Sequence, residues 1–561
     1  MEKPSVNLGN NKWATKSGGI LGYEDGINKN VSPVEFDFSR ASSGTTVNRQ
    51  GLIELVDEGA ELVVDGDFPT GTTAWTEVGN ATINNESAKL TFDGTTGNQI
   101  RQSTITAGKT YRLEYKVVSN SGTDGNLFMN AFSNGSAIAI NLGVNVVVQT
   151  AINTTLLNFR TLNGSGGTIE LSNISVKEVL EEYPRIDFSD DVNGALLLEP
   201  TSTNLIKYSE DFSNSYWSTI DTAASLHSGT SPNGSVLSFK TVGTNGGTNG
   251  RIYKSLTVLS GTQYTWSCFV KKAELDWVYL MMTNTTGTTK AWFNISTGIK
   301  GGSESSPDDY TITSVGTDGW YRITMTATAS STAITTYVIL SEADLSTSYV
   351  GDGTSGTYMY GAQLEQQSYA TSYIPNYGNA SGVTRVADVC NNGGSVGNFN
   401  SAEGVLYAEV ATLTDDVDTS IKLGISNGSS SDRVQLWFYT GTNTVRVVVT
   451  SSTGISFLQF ATLTNISDYN KFCIVWSNGR QELWVNGSML AYDNDATTFP
   501  ENTLSEFSFT GSDGSSDSFH GKVKDLRVYR TALTDDDLVL LTRPSYDSYE
   551  SMSSTLEYTI R

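Results

Sequence analysis

Apolar and polar residues alternate with a period of two along much of this 561-residue chain. In TYRLEYKVV (110–118) every second residue from Tyr111 to Val117 is apolar, which is typical of an antiparallel strand with one solvated face. QYTWSCFVK (263–271) has the same alternation. Clusters of Gly, Asn, Ser and Thr, which favour tight turns, separate these segments. The pattern predicts an all-β protein.

The same order of segments occurs twice, imperfectly. Each copy opens with Asp-Phe and a nearby Trp, continues with a Gly-x-x-Tyr strand and closes on a strand that leads into a polar link; the copies span 65–179 and 209–367. Two β-sandwiches of similar topology fit this spacing. We expect the tryptophans at patterned positions to be core residues, namely Trp75, Trp217, Trp266, Trp320 and Trp476.

A third unit, 383–543, has a different pattern. RVQLWFYTGTNTVRVVVTSS reads as a hairpin with Thr440–Thr444 as its loop, and Asn-Gly pairs mark further turns. FHGKVKDLRVYRTALTDDDLVLLT (519–542) predicts a strand and then a short helix capped by an Asp-rich turn.

That last block resembles the C-terminal signature of laminin-G or concanavalin-like jelly rolls. The matching positions are Trp476, Leu483, Val485, Asn486, Gly487, Phe519, Gly521, Val523, Asp525, Leu526, Arg527, Val528, Tyr529, Ala532, Leu533 and Leu538. The two repeated units look like carbohydrate-binding-type jelly rolls. These resemblances imply folds that accommodate many unrelated ligands.

The segments FDFSRASSGTTVNRQGLIE and PRIDFSDDVNGALLLEPTSTNL, with DGWYRITMTATAS, resemble a family of phage tail-fibre and related virion proteins. In that family the first piece runs within a few residues into the second, whereas here Val56 and Pro184 are separated by a whole jelly roll. We therefore interpret 59–180 as an insertion into a split connector, and expect 36–56 to pack with 184–200 or with a neighbouring subunit.

The predicted fold is an all-β, multidomain chain with three β-sandwich (jelly-roll) domains, the last laminin-G/concanavalin A-like, and a small N-terminal β-containing attachment segment. The predicted units are an N-terminal virion-attachment segment (1–58), an inserted carbohydrate-binding-type jelly roll (59–180), a returning connector (181–203), a second jelly roll (204–375), the laminin-G/concanavalin-like domain (383–543) and a C-terminal tail (544–561). The tail is expected to form a final strand or a subunit contact.

The acidic net charge of the chain indicates which partners it would repel. With 35 basic and 59 acidic residues the formal net charge is -24, which repels phosphate backbones and anionic lipid. We expect no nucleic-acid partner and, because no apolar run approaches the roughly 20 residues of a membrane helix, no membrane insertion. The N-terminus has no signal-peptide pattern, and the three cysteines form no CxxC pair. Synthesis in a host cytoplasm is expected.

A search for catalytic motifs favours a protein that is not an enzyme. Concanavalin-like glycosidases use Glu-x-Asp-x-x-Glu, but the pairs beginning at Glu35, Glu274 and Glu342 lack the final Glu. Only His227 and His520 are available for a triad or metal site. No cofactor is expected; calcium at Asp535–Asp537 or at 190–194 is possible, but no EF-hand-like spacing supports it.

Aromatic side chains are the better candidates for function, since sugar rings stack on exposed Trp and Tyr faces. Trp437 and Tyr439 share one face of a predicted strand, and Trp277 and Tyr279 share one face of another. Alternation does not say which face is core. These four residues are the candidate carbohydrate-binding residues.

By resemblance, we expect a structural phage virion protein, a fibre or appendage, that binds host-surface polysaccharide non-catalytically. It would be a homotrimer attached to other virion proteins through its N-terminal region. A head fibre or capsid decoration protein, a glycan depolymerase and a secreted adhesin remain as alternatives.

Overall fold

The computed structural model describes residues 2–544 except 26–30, 57, 95–96, 123–125, 133–137, 139, 141, 153–154, 163, 165, 181, 228, 236–237, 415–419, 453, 495–498 and 512–516. The predicted C-terminal tail lies, apart from its first residue, outside this range.

Strands dominate the described chain. The N-terminal strands are β1 (Val6–Gly9), β2 (Thr15–Lys16), β3 (Gly19–Asp25), β4 (Val31–Ser39), β5 (Thr45–Val47), β6 (Ile53–Leu55) and β7 (Glu58–Glu61). There follow β8 (Thr76–Val78), β9 (Ala81–Asn84), β10 (Ser87–Thr91), β11 (Gln99–Ile105), β12 (Thr110–Asn120), β13 (Asn126–Phe128), β14 (Gly143–Thr150), β15 (Thr155–Leu162) and β16 (Thr168–Val179).

The middle of the chain contains β17 (Arg185–Asp187), β18 (Ala195–Leu198), β19 (Ser202–Asn204), β20 (Ser218–Ile220), β21 (Thr222–His227), β22 (Ser238–Gly243), β23 (Arg251–Thr257), β24 (Gln263–Lys272), β25 (Trp277–Thr285), β26 (Gly287–Asn294), β27 (Ile299–Glu304), β28 (Asp309–Val315), β29 (Trp320–Thr328), β30 (Ala333–Ser341) and β31 (Gly356–Glu365).

The last part contains β32 (Val383–Arg385), β33 (Val389–Asn391), β34 (Gly404–Thr412), β35 (Ser420–Ser426), β36 (Arg433–Tyr439), β37 (Thr444–Ser451), β38 (Gly454–Thr462), β39 (Asn470–Ser477), β40 (Arg480–Val485), β41 (Ser488–Asp493), β42 (Glu506–Ser508), β43 (Gly521–Tyr529) and the helix α1 (Asp535–Thr542).

The first sandwich packs the sheet β14-β12-β16-β10-β9, to which β7 adds beside β16, against the sheet β13-β15-β11-β8. The side chains that alternate inward along β12 are fully buried in its core. Trp75 is also core. Apolar burial of this kind is what drives the two sheets together.

The second sandwich packs β20-β23-β30-β25-β26-β27 against β21-β22-β31-β24-β29-β28. Trp217 and Trp266 are in its core, and Trp320 is buried in a smaller cluster beside it. The prediction that all five patterned tryptophans are buried is confirmed, since Trp476 is fully enclosed in the third sandwich.

The third sandwich includes the N-terminus, so the prediction of residues 1–58 as a segment of their own is wrong. One of its sheets runs β33-β4-β3-β1-β43-β34-β39-β40-β41, and the other runs β38-β37-β36-β35-β42. β1 pairs with β43, for example Val6 with Val528, and β18 pairs with the other half of the same edge. Together they cover an edge that β43 would otherwise expose to solvent.

The two halves of the split connector pack together, as predicted. The Thr46 hydroxyl donates to the Ile186 carbonyl at 3.1 Å, the Val47 amide donates to Asp187 Oδ2 at 3.1 Å, and Phe188 N donates to Val47 O at 2.9 Å. The first sandwich therefore leaves this junction after β6 and returns to it at β17.

The single α-helix of the described residues follows β43. Its N-cap is Thr534, whose hydroxyl accepts from Asp537 N, and Asp535–Asp537 form the first helical turn. The cap is therefore Thr534, one residue before the Asp-rich turn that was predicted to cap the helix. The three carboxylates lie in the first turn, where the positive end of the helix dipole stabilises negative charge. Within the described chain no helix is long and apolar enough to cross a bilayer.

Candidate functional site

Trp437 and Tyr439 lie on the outer face of the five-stranded sheet of the third sandwich. Alternation along β36 places Val434, Leu436 and Phe438 in the core, at 0, 1 and 1% exposure. Their neighbours Trp437 and Tyr439 point the other way and are half-buried. The structure therefore decides which face is core, a question that alternation alone leaves open.

Strand register brings basic residues to Trp437 from both sides. Lys422 on β35 and Arg446 on β37 are its direct cross-strand partners. The Lys422 Nζ lies 4.1 Å, and the Arg446 Cζ 4.7 Å, from the centroid of the Trp437 ring, with Arg433 Cζ at 5.5 Å. The electron-rich ring face attracts these cations. The ring is thus held within a basic cluster.

Hydrogen bonds hold the polar groups of this face. The Trp437 Nε1 donates to Gln435 Oε1 at 3.0 Å, and Arg446 Nη1 donates to Tyr439 Oη at 3.3 Å. The Lys422 ammonium pairs with Asp517. Each contact reduces the side-chain freedom that would be lost when a ligand binds.

Exposed apolar groups continue the face along β38. Phe460 is 54% exposed and Leu458 44% exposed, and the Tyr439 and Phe460 ring centroids are 6.1 Å apart. We call the set Lys422, Gln435, Trp437, Tyr439, Arg446 and Phe460 the Trp437 surface. Gln435 is buried beneath this surface at 1% exposure and supports the Trp437 ring. Flat rings beside hydroxyl and charged groups suit a ligand with both CH-rich and polar faces, and sugars have this character.

The second predicted pair lies elsewhere, on the outer face of the second sandwich. Tyr279 is only 4% exposed and stacks on Trp292 with centroids 4.7 Å apart. Burial raises the pKa of Tyr279 to about 12. Trp292 Nε1 donates to the Ser346 carbonyl at 3.0 Å, while Trp277 stays half-buried. Of this pair, Trp277 is the more accessible; the structure does not bring the two pairs together.

A buried ionic junction, which the sequence did not predict, joins distant parts of the chain. Arg40, Arg185 and Arg385 meet Glu199 and Asp388, and all five side chains are at most 3% exposed. Arg40 Nη1 lies 2.9 Å from Asp388 Oδ1, and Arg385 Nη1 lies 2.8 Å from Glu199 Oε2. Arg185 pairs with both carboxylates. The sequence signal that could have indicated it is the charged Glu199 directly after the apolar run ALLL (195–198).

Glu199 is the most strongly perturbed carboxyl of the junction. Burial alone raises its pKa, but Arg385 and Arg185 beside it, with donors from Ser372, hold the pKa well below its usual range. Ser372 N and Oγ each donate to Glu199 at 2.7 Å. The junction therefore requires an ionised Glu199.

Two cavities flank the junction. One of about 880 Å³ lies between the connector, the second sandwich and the third. Another, of about 590 Å³, contains Glu210, whose Oε1 accepts from Tyr360, Tyr373 and Tyr377 hydroxyls at 2.8, 3.2 and 3.3 Å. Burial raises the pKa of Glu210. Because these hydrogen bonds come from neighbouring tyrosines of the same sandwich, we interpret them as structural.

The two histidines lie in different sandwiches, His227 at the end of β21 and His520 just before β43. The His227 ring stacks on Tyr358 with centroids 4.1 Å apart. Burial lowers the pKa of His520 to about 4. No group of three or more His, Cys, Asp or Glu in the described part of the chain is arranged to hold a metal ion.

Architecture and site together define a chain of three β-sandwiches, the last presenting an aromatic and basic outer face. Residues 407–539 match the family described as the concanavalin A-like lectin/glucanases superfamily (Laminin_G_3). The C-terminal sandwich is thus a concanavalin A-like lectin/glucanase domain, as its signature predicted. A search of curated proteins finds no match to the chain.

Solved structures show distant likeness. The leech intramolecular trans-sialidase is 15% identical with a TM-score of 0.23, over 26% of this chain and 24% of that one. The CBM22-1–CBM22-2 tandem domain of Paenibacillus barcinonensis Xyn10C is 12% identical (TM-score 0.21; 56% and 99% covered). Mouse laminin alpha1 domains LG4-5 are 13% identical (TM-score 0.19; 49% and 85% covered).

Proposed function

We propose that this protein is a non-enzymatic virion component, a fibre or appendage, that binds host-surface glycans through the Trp437 surface. The observation that supports glycan binding is the partly exposed Trp437 ring on a lectin-type domain, held between Lys422 and Arg446 and continued by exposed Phe460. Weak affinity at each site would be multiplied by the number of copies on one particle.

The virion part of the proposal rests on the resemblance of the split connector to phage tail-fibre proteins. Because the N-terminal strands are built into the third sandwich, contacts with other virion proteins would be made by the surface of that sandwich. Attachment as a homotrimer predicts a solution mass of three times 60.4 kDa by light scattering.

A glycan array tests the binding function. The intact chain should bind a subset of surface polysaccharides. Trp437→Ala should lower affinity by about 10- to 100-fold if a sugar ring gains as much from stacking as a nucleobase does on an aromatic side chain, about 1–3 kcal/mol. Tyr492→Ala is the matched control, because Tyr492 is 61% exposed on β41, in the opposite sheet of the same domain.

The same samples distinguish binding from hydrolysis. A binding protein leaves the number of reducing ends unchanged after prolonged incubation. Release of oligosaccharide would show that the chain is a depolymerase, and silence of the whole array would refute the binding function.

A further inference from the structure

We infer that the Trp437 surface selects saccharides that bear a carboxylate, and that Arg446 is the cation that binds it. This inference rests on the proposed function and specifies its ligand class. It starts from an uneven distribution of charge: the chain has a net charge of -24, yet three basic side chains surround one tryptophan. A ligand with negative charge is the complement of such a cluster.

Arg446 differs from Lys422 in its partners. The Lys422 ammonium is already paired with Asp517. In the described part of the chain no carboxylate lies within ion-pair distance of Arg446. Its Nη1 donates to the Tyr439 hydroxyl, and its buried Nε has no hydrogen-bond partner among the described residues. A half-buried guanidinium without a counter-charge gains more from an incoming carboxylate than an exposed one, because less water screens the pair.

The orientation of Arg446 is fixed before a ligand arrives. Its Cζ lies 4.7 Å from the Trp437 ring centroid and 5.4 Å from that of Phe460, and both residues are its cross-strand partners. The guanidinium is therefore held between two rings by the register of β36, β37 and β38. A planar group with two parallel donors suits the bidentate geometry of a carboxylate better than an ammonium does.

The surroundings favour an acidic sugar over other anions. A uronate or sialate offers a CH-rich ring face for Trp437 together with a carboxylate for Arg446. An inorganic anion such as phosphate or sulfate offers no CH-rich face to Trp437. The shared chemistry is a carboxylated ring, whichever polysaccharide supplies it.

The test uses matched ligands on the intact protein. Oligogalacturonate, oligoglucuronate and polysialate are immobilised, each beside its carboxyl-reduced or esterified form. The native chain should bind at least one carboxylate form about 10- to 100-fold more tightly than its neutral partner, the range expected for a charge-assisted hydrogen bond.

Variants assign the effect to Arg446. Arg446→Gln should abolish the preference, so that charged and neutral forms bind alike, and Arg446→Lys should restore it only in part. Arg251→Gln is the matched control, because Arg251 also lies over a ring, 5.8 Å from Tyr337, but on the second sandwich. Thermal melts establish that each variant is folded.

Each outcome is decisive. Loss of preference in Arg446→Gln, with Arg251→Gln unchanged, supports the inference. Equal binding of charged and neutral forms by the native chain overturns the ligand class while leaving glycan binding intact. A preference that survives in Arg446→Gln overturns the assignment of the carboxylate to Arg446. No binding to any form overturns the proposed function together with the inference.

Discussion

Replacing Glu199 with Gln is the most informative perturbation of the fold. Glu199 accepts from Ser372 N and Oγ and pairs with Arg185 and Arg385, and its side chain is 3% exposed. Gln keeps the shape but removes the charge, which leaves three guanidinium groups facing the single carboxylate of Asp388. Breaking a buried pair in this way costs about 3–5 kcal/mol of unfolding free energy.

The pKa shift of Glu199 determines how the stability deficit of Glu199→Gln changes with pH. The pKa of Glu199 is depressed in the folded state, so its contribution to stability is present above the unfolded pKa of about 4.3 and is lost as the pH falls towards the folded value. The deficit of Glu199→Gln should therefore be full at pH 7 and shrink below about pH 4. Urea unfolding followed by tryptophan fluorescence at pH 7, 5 and 3 measures it.

A surface pair supplies the control. Glu35, 64% exposed, pairs with Lys16 at 3.2 Å, and Glu35→Gln should change stability by at most about 0.5 kcal/mol. The reasoning is refuted if Glu199→Gln costs less than about 1 kcal/mol at pH 7, or if its deficit grows as the pH falls.

Further predictions concern buried residues away from the junction. Leu113→Ala should destabilise the first sandwich by about 2–5 kcal/mol and lower only its own transition in calorimetry, because Leu113 is fully buried there; a joint shift of all transitions would count against an independently folding insertion. The pKa of His520 is lowered by burial to about 4, so stability should decline as the pH falls from about 6.5 to 4, and His520→Asn should flatten that decline in denaturation curves; parallel curves would contradict it. Burial raises the pKa of the Cys268, Cys390 and Cys473 thiols, so a thiol reagent should label the native protein far more slowly than the unfolded protein.

The strands and hairpins that depend on local sequence were predictable from periodicity and turn residues. Alternation located β12 and β24, and the turn signals located the hairpin of β36 and β37, although Thr444 proves to be the first residue of β37 and pairs with Tyr439. By contrast, β1 consists of four buried residues with no alternation, and its partner strand lies more than 500 positions away, so the sequence does not specify that pairing.

The candidate site was predictable only where it depends on local sequence. Trp437 was evident as an aromatic residue on a strand, but its basic neighbours depend on register. The short β36–β37 loop brings Arg446 opposite Trp437, and this partner could have been deduced from the hairpin; Lys422 could not, since residues 427–432 separate its strand from β36 by a longer loop. Burial of Tyr279 depends on Trp292 of a neighbouring strand.

A crystal structure of the intact chain with a bound acidic oligosaccharide tests the central claim most directly. The account predicts a sugar ring stacked on Trp437 with its carboxylate hydrogen-bonded to Arg446. A sugar bound at Trp277 or in either cavity, with the Trp437 surface bare, would contradict it.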